Sequence, residues 1–351
     1  MNETNLQDLP GEKISLVIVF FNAELYLERA FKSFSEFLNQ DIQVVVVNDG
    51  STDSSDEIIE KWRHQINFDY YELSENKGTS YARQHGIEQC NHDVIMFMDA
   101  DDEYIQNPFI EVSLAFEDSH IDAIYYRSQN EYGDVDLEFQ LNEISGENFF
   151  QRMLMAGEFL YPFWRYAFRK KLFYPRVLTL DYQLFEDSFS TPIIVLKAKT
   201  IKLINSVYYK HYVNIPSSAV NTHLISHSNM DGRFIDKKIN IYIDRINHID
   251  NTLTDNITDI NQKYLHRFFI QTMIGLMSID PKLTLKEYKQ HLKRIQFKRP
   301  RIQLNHRIAF KNKNFITNLT LYVFGFYITS LIYKYYVLLN KKKEVLWVKE
   351  R

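Results

Sequence analysis

The first third of the chain alternates unbroken apolar runs with amphipathic segments, and no other feature constrains the fold as much. Ile14–Phe20 is a continuous β-branched and aromatic run, typical of a strand that is covered on both faces. Residues 22–38 then carry apolar side chains at helical spacing, which are Leu27, Ala30, Phe31, Phe34 and Leu38. Repeated strand and helix units of this kind predict an α/β fold with a mainly parallel, doubly wound sheet.

Further segments continue the alternation. Strands are predicted at Ile42–Val47, Tyr70–Leu73, Val94–Met98 and Ile121–Tyr126. Helices are predicted at residues 51–62 and 79–90. Ser54 and Glu57 have the spacing of a capping box, which would fix the start of the first of these helices.

Short clusters that contain polar residues follow three of the predicted strands. The clusters are Phe21 and Asn22, then Asn48–Ser51, then Asp99–Asp102. Ligands of open α/β sheets bind beyond the carboxyl ends of the strands, so these three clusters are expected to converge on one binding site.

The acids of the third cluster suggest what that site holds. All ten glycines are isolated and none forms G-x-G or G-x-x-x-x-G-K, which excludes the glycine-rich phosphate cradles. Asp99 and Asp101 are two positions apart, so in extended backbone their carboxylates leave on the same side. Two such oxygens suit a divalent cation with open positions for diphosphate oxygens. The alternative is an acidic loop that caps the next helix.

Four stretches of the chain resemble, in order and spacing, the family 2 glycosyltransferases of the GT-A fold, which build bacterial surface polysaccharides. The stretches are SLVIVFFNAELYLERAFKSF, VVVVNDGSTDSS, ENKGTSYARQHGI and IMFMDADD, which together cover about Lys13 to Asp102. Weaker similarity continues to about Asn214. The resemblance implies a GT-A fold and transfer of a sugar from a nucleotide-sugar donor, a UDP-sugar, to a glycan or lipid-linked acceptor.

The resemblance also implies roles for individual residues. The implied donor-binding residues are Phe21, Asn22, Asp49, Asn76, Lys77, Gly78, Arg83, Asp99 and Asp102. Among them Asp49 would accept a hydrogen bond from uracil, Phe21 would lie near the base, and Asp102 would face the sugar. Asp99 and Asp101 would form the D-x-D motif, with Asp101 as the more direct ligand of Mg²⁺ or Mn²⁺. An ordinary turn at residues 76–78 and a surface charge at Arg83 are the alternatives.

Some positions depart from the family pattern. The chain has Val19, Phe21, Asn48 and Gln84 where relatives usually have proline, tyrosine, aspartate and asparagine.

Sugar transfer needs one general base, because the acceptor hydroxyl loses a proton as it attacks the anomeric carbon. Glu186 and Asp187 precede an apolar pattern typical of a helix, and the family carries an E-D pair here whose aspartate resembles an inverting base. The resemblance therefore assigns the base to Asp187, with Glu186 beside it. The alternative is an acid pair that the helix dipole stabilises.

Acceptor-side residues are harder to assign. Trp164 stands where family members place an aromatic ring in the acceptor region, although a core aromatic is an equally good account. Lys210, His211 and Ser217 are candidates near the diphosphate. For His211 a structural role is favoured over metal binding.

The charge distribution points to a second partner. Residues 281–351 contain 17 basic and three acidic residues, a net charge of +14, and the first 280 residues carry −18. Asn314–Tyr333 holds 20 residues without a charge, but several Asn, Thr and Ser residues dilute it. A helix that lies in the interface of a membrane, beside lysines that meet anionic lipid, is predicted in preference to a span. The alternative is a buried helix with a basic tail; the apolar stretch favours lipid over nucleic acid, so no nucleic-acid partner is predicted.

The domain prediction follows from these patterns. Residues 1–12 form a tail, and residues 13–220 form the catalytic domain, with a nucleotide-sugar half (13–102) and an acceptor half (103–220). Residues 221–300 form a helical region and 301–351 the membrane-associating segment. The single cysteine and the polar start predict a cytoplasmic chain, peripheral at the inner face of the cell membrane.

Two other functions stay open. One is transfer of the sugar onto a polyisoprenyl phosphate, an acceptor that needs no general base. The other is a catalytically inactive glycan-binding or scaffold protein of the membrane.

Overall fold

The computed structural model describes residues 11–136, 138–156, 162–178 and 187–212. The strands are β1 (Ile14–Phe20), β2 (Ile42–Asn48), β3 (Asp69–Glu72), β4 (Val94–Asp99), β5 (Glu103–Tyr104), β6 (Ala123–Asn130), β7 (Glu143–Ile144), β8 (Tyr166–Arg169) and β9 (Ile201–His211). The α-helices are α1 (Leu27–Ser35), α2 (Ser55–Arg63), α3 (Thr79–Gln89), α4 (Phe109–Ala115), α5 (Gly146–Ala156) and α6 (Asp187–Lys197). Short 3₁₀ helices span Phe163–Arg165 and Lys170–Phe173. The predicted helical region 221–300 and the basic segment 301–351 lie outside the described residues.

One sheet of nine strands organises the described chain. Its order is β3-β2-β1-β4-β8-β6-β9-β5, and β7 pairs with the first residues of β9. Strands β3, β2, β1 and β4 run parallel to one another, and β6 runs parallel to β9. The prediction of a mainly parallel α/β sheet is confirmed.

Strand β8 is absent from the predicted strands, and it runs antiparallel between β4 and β6. It is four residues long and ends on the buried Arg169, so its apolar pattern is too short to be distinguished from a loop. The Arg169 guanidinium is satisfied by the carbonyls of Ile121 (2.9 Å) and Phe116 (2.7 Å) and by the carboxylate of Asp93 (2.9 Å). A buried arginine with these partners fixes the end of the strand.

Strand β1 sets the position of the binding edge. All seven of its residues are buried, as the unbroken apolar run predicts. It is paired along one side with β2 and along the other with β4, so that Phe20 lies opposite Asn48 and Val19 opposite Asp99. The polar residues that follow β1, β2 and β4 therefore leave the sheet at the same edge.

Helix α1 covers one face of the parallel strands. It buries four of the five residues that the helical spacing predicts, which are Leu27, Ala30, Phe31 and Phe34. The fifth, Leu38, lies beyond the helix and packs partly against the same core. The Phe31 and Trp62 rings are 5.5 Å apart, so α1 and α2 share this core.

Helix α1 begins at Leu27, later than predicted, because the preceding backbone makes other bonds. The Asn22 N–H donates to Ser51 Oγ and the Ala23 N–H to Ser55 Oγ, both at 2.9 Å. Asn22 also has a positive φ of 50°, which prevents a right-handed helix from starting at this residue. The loop after β1 is thus tied to the loop after β2.

The predicted capping box at Ser54 and Glu57 is wrong. Helix α2 begins at Ser55, and Ser54 occupies the N-cap position without a side-chain cap hydrogen bond. The Ser54 N–H donates to Glu24 Oε2 at 2.9 Å instead. A contact with the β1–α1 loop replaces the local contact that the spacing suggests.

Strand β6 also differs from its prediction. It spans Ala123–Asn130 rather than Ile121–Tyr126, because the Ile121 N–H closes a turn with the Asp118 carbonyl (3.1 Å). Its pairing with β9 shifts register around Arg127, which interrupts the apolar alternation there.

The chain divides into two compact units. The first unit contains the strands and helices up to Phe150 and those from Phe163 to His211. None of the helices in the described part of the chain combines the length and hydropathy that a bilayer crossing requires.

Candidate functional site

The loops after β1 and β2 meet at the carboxyl edge of the sheet, as predicted. The Asp49 N–H donates to the Phe20 carbonyl at 2.8 Å, and the Thr52 N–H donates to Asn22 Oδ1 at 2.8 Å. Asn22 thus acts through its side-chain amide, which closes the loop. Phe21 beside it is 44% exposed, which leaves its ring available to a ligand.

Asp49 joins this edge to the loop before α3. Its two carboxylate oxygens accept the backbone N–H groups of Lys77 (2.8 Å) and Gly78 (2.9 Å). Burial raises the pKa of Asp49 and outweighs these two bonds, which act in the opposite direction. A carboxylate has about four lone-pair positions, so oxygen capacity remains for a ligand N–H.

Two glycines let the loop before α3 approach β2 this closely. A Cβ at Gly50, where φ is +71°, would lie 2.6 Å from the Glu75 carbonyl carbon. Gly78 has a φ of +90° and stands at the N-cap position of α3, where the Asn76 side chain also accepts its N–H at 3.1 Å. The predicted donor residues 76–78 therefore lie against Asp49.

The departure Asn48 has a structural reason. Its side-chain amide donates to Asp56 Oδ1 and to the Tyr70 hydroxyl, both at 3.0 Å, and Tyr70 donates to the same Asp56 oxygen at 2.7 Å. Asn48 is fully buried. An aspartate at this position would lose the amide donor and would place a second carboxylate next to that of Asp56.

We therefore expect Asn48→Asp to lower the free energy of unfolding by about 1–3 kcal/mol, the usual cost of a buried polar group without its partner. The double variant Asn48→Asp with Asp56→Asn restores one donor and one acceptor and is expected to recover at least half of that loss. Urea denaturation of wild type, both single variants and the double variant measures the coupling. A double variant no more stable than Asn48→Asp would contradict this explanation.

The acids after β4 form a turn, defined here as the acidic turn, residues Asp99–Asp102. The Asp102 N–H donates to the Asp99 carbonyl at 3.2 Å, so the backbone is not extended and the predicted reason for pairing Asp99 with Asp101 is wrong. The turn brings a third acid into the group. One carboxylate oxygen from each of Asp99, Asp101 and Asp102 lies within 4.8 Å of the others.

The electrostatics of the acidic turn favour a cation. Burial and the neighbouring carboxylates raise the pKa of Asp101 and, more strongly, the pKa of Asp102. Three hard oxygens of like charge, partly removed from water, are a donor set that Mg²⁺ and Mn²⁺ prefer. The residues therefore fit the predicted metal, and Asp102 belongs to this group as well as to the predicted sugar side.

Arg83 lies against the acidic turn from α3. It is buried, and its Nη2 donates to Asp99 Oδ1 at 2.7 Å while its Cζ lies 5.3 Å from the centre of the Phe163 ring. The alternative of a surface charge is wrong. A contact between Arg83 and a diphosphate stays a prediction.

Three further residues hold the acidic turn and were missed, because each comes from a distant part of the chain. Arg29 of α1 donates to the Asp101 carbonyl, and its Cζ lies 3.8 Å from the centre of the Tyr212 ring. The Tyr212 N–H donates to Asp102 Oδ1 at 2.9 Å. The Tyr209 hydroxyl accepts the Asp99 N–H at 3.0 Å and hydrogen-bonds the Asp102 carboxylate.

Trp164 is buried beside this group. Its ring stacks on Tyr209 with a centre distance of 4.5 Å and an angle of 8°, and it also stacks on His211 at 5.2 Å. With 7% of its surface exposed, it resembles a core aromatic more than an open sugar platform. Its role toward an acceptor stays a prediction.

The other candidates near the end of β9 have structural partners. His211 Nδ1 lies 3.1 Å from the Gln129 carbonyl, and burial lowers the pKa of His211. Lys210 forms an ion pair with Glu103 at 3.0 Å. Ser217 lies outside the described residues.

Asp187 is the first residue of α6, so the predicted helix after the E-D pair is present. Its position satisfies both the general-base interpretation and the helix-dipole alternative. Glu186 lies outside the described residues.

Comparison with known proteins extends this description. A family model for glycosyl transferase family 2 matches residues 15–174. Among curated proteins, the chain is 28% identical over 214 residues to glycosyltransferase GlyA of Streptococcus pneumoniae, covering 57% of this chain and 30% of the relative. It is 32% identical over 111 residues to poly(ribitol-phosphate) β-N-acetylglucosaminyltransferase TarS of Staphylococcus aureus, covering 31% of this chain and 19% of TarS. The chain thus corresponds to less than a third of each of these relatives.

Solved structures show the same fold. The crystal structure of S. aureus TarS residues 1–349 in complex with UDP-GlcNAc superposes with a TM-score of 0.61 at 21% identity, covering 80% of this chain and 79% of that one. The predicted GT-A fold is confirmed.

Proposed function

Because a family model for glycosyl transferase family 2 matches residues 15–174, we propose that this chain transfers a sugar from a nucleotide-sugar donor to a bacterial surface glycan or its lipid-linked precursor. The acidic turn carries the proposal, since three carboxylates gather at the carboxyl edge of the sheet, where open α/β sheets bind their ligands. Its neighbours Asp49 and Phe21 give the same edge a buried acceptor group and an exposed ring.

The donor is proposed to be a UDP-sugar. Asp49 can accept the uracil N–H, and Phe21 offers an apolar surface to the base. The TarS structure of the same fold carries UDP-GlcNAc, which supports this choice of nucleotide. Lys77 and Gly78 donate to Asp49, Asn76 accepts from Gly78, and we propose that these three residues line the nucleotide.

Asp99, Asp101 and Asp102 are proposed to hold Mg²⁺ or Mn²⁺. When bound, such an ion neutralises negative charge that develops on the departing nucleoside diphosphate. Arg83, already paired with Asp99, adds a positive charge at the same place. A separate general acid for the leaving group is therefore unnecessary.

The acceptor side is proposed to use a single base with inversion at the anomeric carbon. Asp187 would take the proton of the attacking hydroxyl, which raises the oxygen's nucleophilicity as the new glycosidic bond forms. Asp187 is the first residue of α6, where the helix dipole favours a negatively charged side chain.

Membrane association is proposed for residues 301–351, with the chain on the cytoplasmic side of the cell membrane. Lys341, Lys342 and Lys343 would each contribute about 1 kcal/mol near an anionic surface, and Asn314–Tyr333 would insert its apolar residues.

The full chain is accordingly expected to sediment with vesicles that contain anionic lipid, less so at high salt, and less with neutral vesicles. Changing Lys341, Lys342 and Lys343 to Gln should weaken this binding, whereas changing Lys61 of α2 to Gln should not. Equal sedimentation of both variants and wild type would remove the proposal.

A thermal-shift screen of nucleotide sugars with and without Mn²⁺ tests the proposed function. A bound donor stabilises the folded state by mass action, so one UDP-sugar is expected to raise the Tm in the presence of Mn²⁺. Liberation of UDP from that donor then tests transfer. If no nucleotide sugar raises the Tm, the proposed function is wrong and the catalytically inactive glycan-binding protein is the remaining alternative.

A further inference from the structure

Two arginines contact the acidic turn in different ways. Arg83 takes a carboxylate oxygen of Asp99, whereas Arg29 donates to the backbone carbonyl of Asp101. The contact of Arg29 therefore fixes the backbone of the turn and occupies no oxygen that a cation would need.

Arg29 is itself held from the other side. Its guanidinium carbon lies 3.8 Å from the centre of the Tyr212 ring, within the range of a strong cation–π contact. Tyr212 also contacts the turn and the residue after it, because its N–H donates to Asp102 Oδ1 and its hydroxyl donates to Glu103 Oε1 at 2.8 Å. Arg29 and Tyr212 thus hold two neighbouring residues of the turn while they hold each other.

The acidic turn needs such support. Three carboxylates within 4.8 Å repel one another, and this repulsion favours an opened turn in which the acids lie farther apart. Arg83 forms an ion pair with Asp99, and the positive charges of both Arg29 and Arg83 act on Asp101. A cation binds best to ligands whose positions are already fixed.

From these contacts we infer that Arg29 is a positioning residue, which with Tyr212 holds the acidic turn closed so that Asp99, Asp101 and Asp102 present a preformed cation site. The inference deepens the proposed function and rests on its metal site.

The sign of the effect separates positioning from simple electrostatics. Arg29 is positively charged, so if it acted through charge alone, its removal would strengthen the binding of a divalent cation. If it holds the turn, its removal weakens cation binding in spite of the lost repulsion. The two mechanisms predict opposite changes.

The experiment is Mn²⁺ titration calorimetry on the full chain without donor. Arg29→Met is expected to weaken Mn²⁺ binding about tenfold, equivalent to about 1.4 kcal/mol. Arg29→Lys keeps the charge and one donor but loses the planar guanidinium, and its affinity is expected between those of Arg29→Met and wild type. Lys32→Met, the same charge change at an exposed position of α1, is the matched control and should stay within about twofold of wild type.

Tighter or unchanged Mn²⁺ binding by Arg29→Met, with wild type binding, overturns the inference alone. A wild-type chain that does not bind Mn²⁺ overturns the proposed metal site, and the inference with it. If Arg29→Met does not fold, variants of Tyr212 provide the test. Tyr212→Ala removes the ring that contacts the Arg29 guanidinium and should weaken Mn²⁺ binding. Tyr212→Phe keeps the ring and the N–H bond to Asp102 and should bind as wild type does, so equal affinities of the two variants would overturn the inference.

Discussion

Replacing Asp187 by asparagine is expected to slow sugar transfer by about 10²–10⁴, the usual contribution of a general base, while donor binding is unchanged. Asparagine keeps the size of the side chain and cannot take up the proton. Donor binding should persist because the proposed donor residues lie after β1, β2 and β4 and around the start of α3, whereas Asp187 opens α6. Single-turnover transfer and donor affinity, measured on the same preparation, separate the two effects.

The helix-dipole alternative for Asp187 has its own control. Glu57→Gln removes an exposed acid from the first turn of α2, where the dipole acts in the same way. If Asp187 only stabilises its helix, both variants lose a similar, small part of the unfolding free energy and neither loses transfer. Transfer near the wild-type rate in Asp187→Asn would assign the base to Glu186 or indicate a polyisoprenyl phosphate acceptor.

Asp101→Ala is expected to abolish the Mn²⁺-dependent part of donor binding. Loss of a residue that only supports a metal ligand costs about 10–100-fold in affinity, so loss of a direct ligand should exceed that range. The fold should survive, because removal of one carboxylate relieves repulsion among the three acids. The expected Tm of the metal-free variant is therefore no lower than that of wild type.

Donor titration calorimetry with Mn²⁺ and with a chelator measures this effect. Glu60→Ala removes an exposed acid from α2 and provides the control for the change in charge. An Asp101→Ala variant with the donor affinity of wild type in Mn²⁺ would refute the assignment of Asp101 as a ligand.

The sequence was sufficient to predict where the site lies. The runs that become β1, β2 and β4 are unbroken and apolar, so their ends are clear, and parallel strands bring such ends to one edge. The alignment of Phe20 with Asn48 and of Val19 with Asp99 follows from those ends. That Asp99 and Asp101 lie close together was predicted from extended backbone, whereas a turn brings them together, since nothing local distinguishes a turn from extended backbone in D-A-D-D.

Long-range partners could not be predicted. Arg29 has an ordinary position for a surface charge on an amphipathic helix, and its contact with Asp101 is made 72 residues away. The burial of Trp164 depends in the same way on Tyr209 and His211, which lie on β9. Contacts between residues so far apart leave no periodic pattern in the local sequence from which they could be predicted.

The position of β8 has a consequence for synthesis of the chain. Strand β4 is complete at Asp99, but its second neighbour is made about 70 residues later, so the nascent sheet carries an open edge for that interval. An unpaired, apolar strand edge can join the same edge of another chain, and pairing at this distance slows folding. A fragment that ends at Asp102 would keep that edge exposed permanently. The nucleotide-sugar half is therefore expected to aggregate when expressed alone, although it carries all of the proposed donor residues.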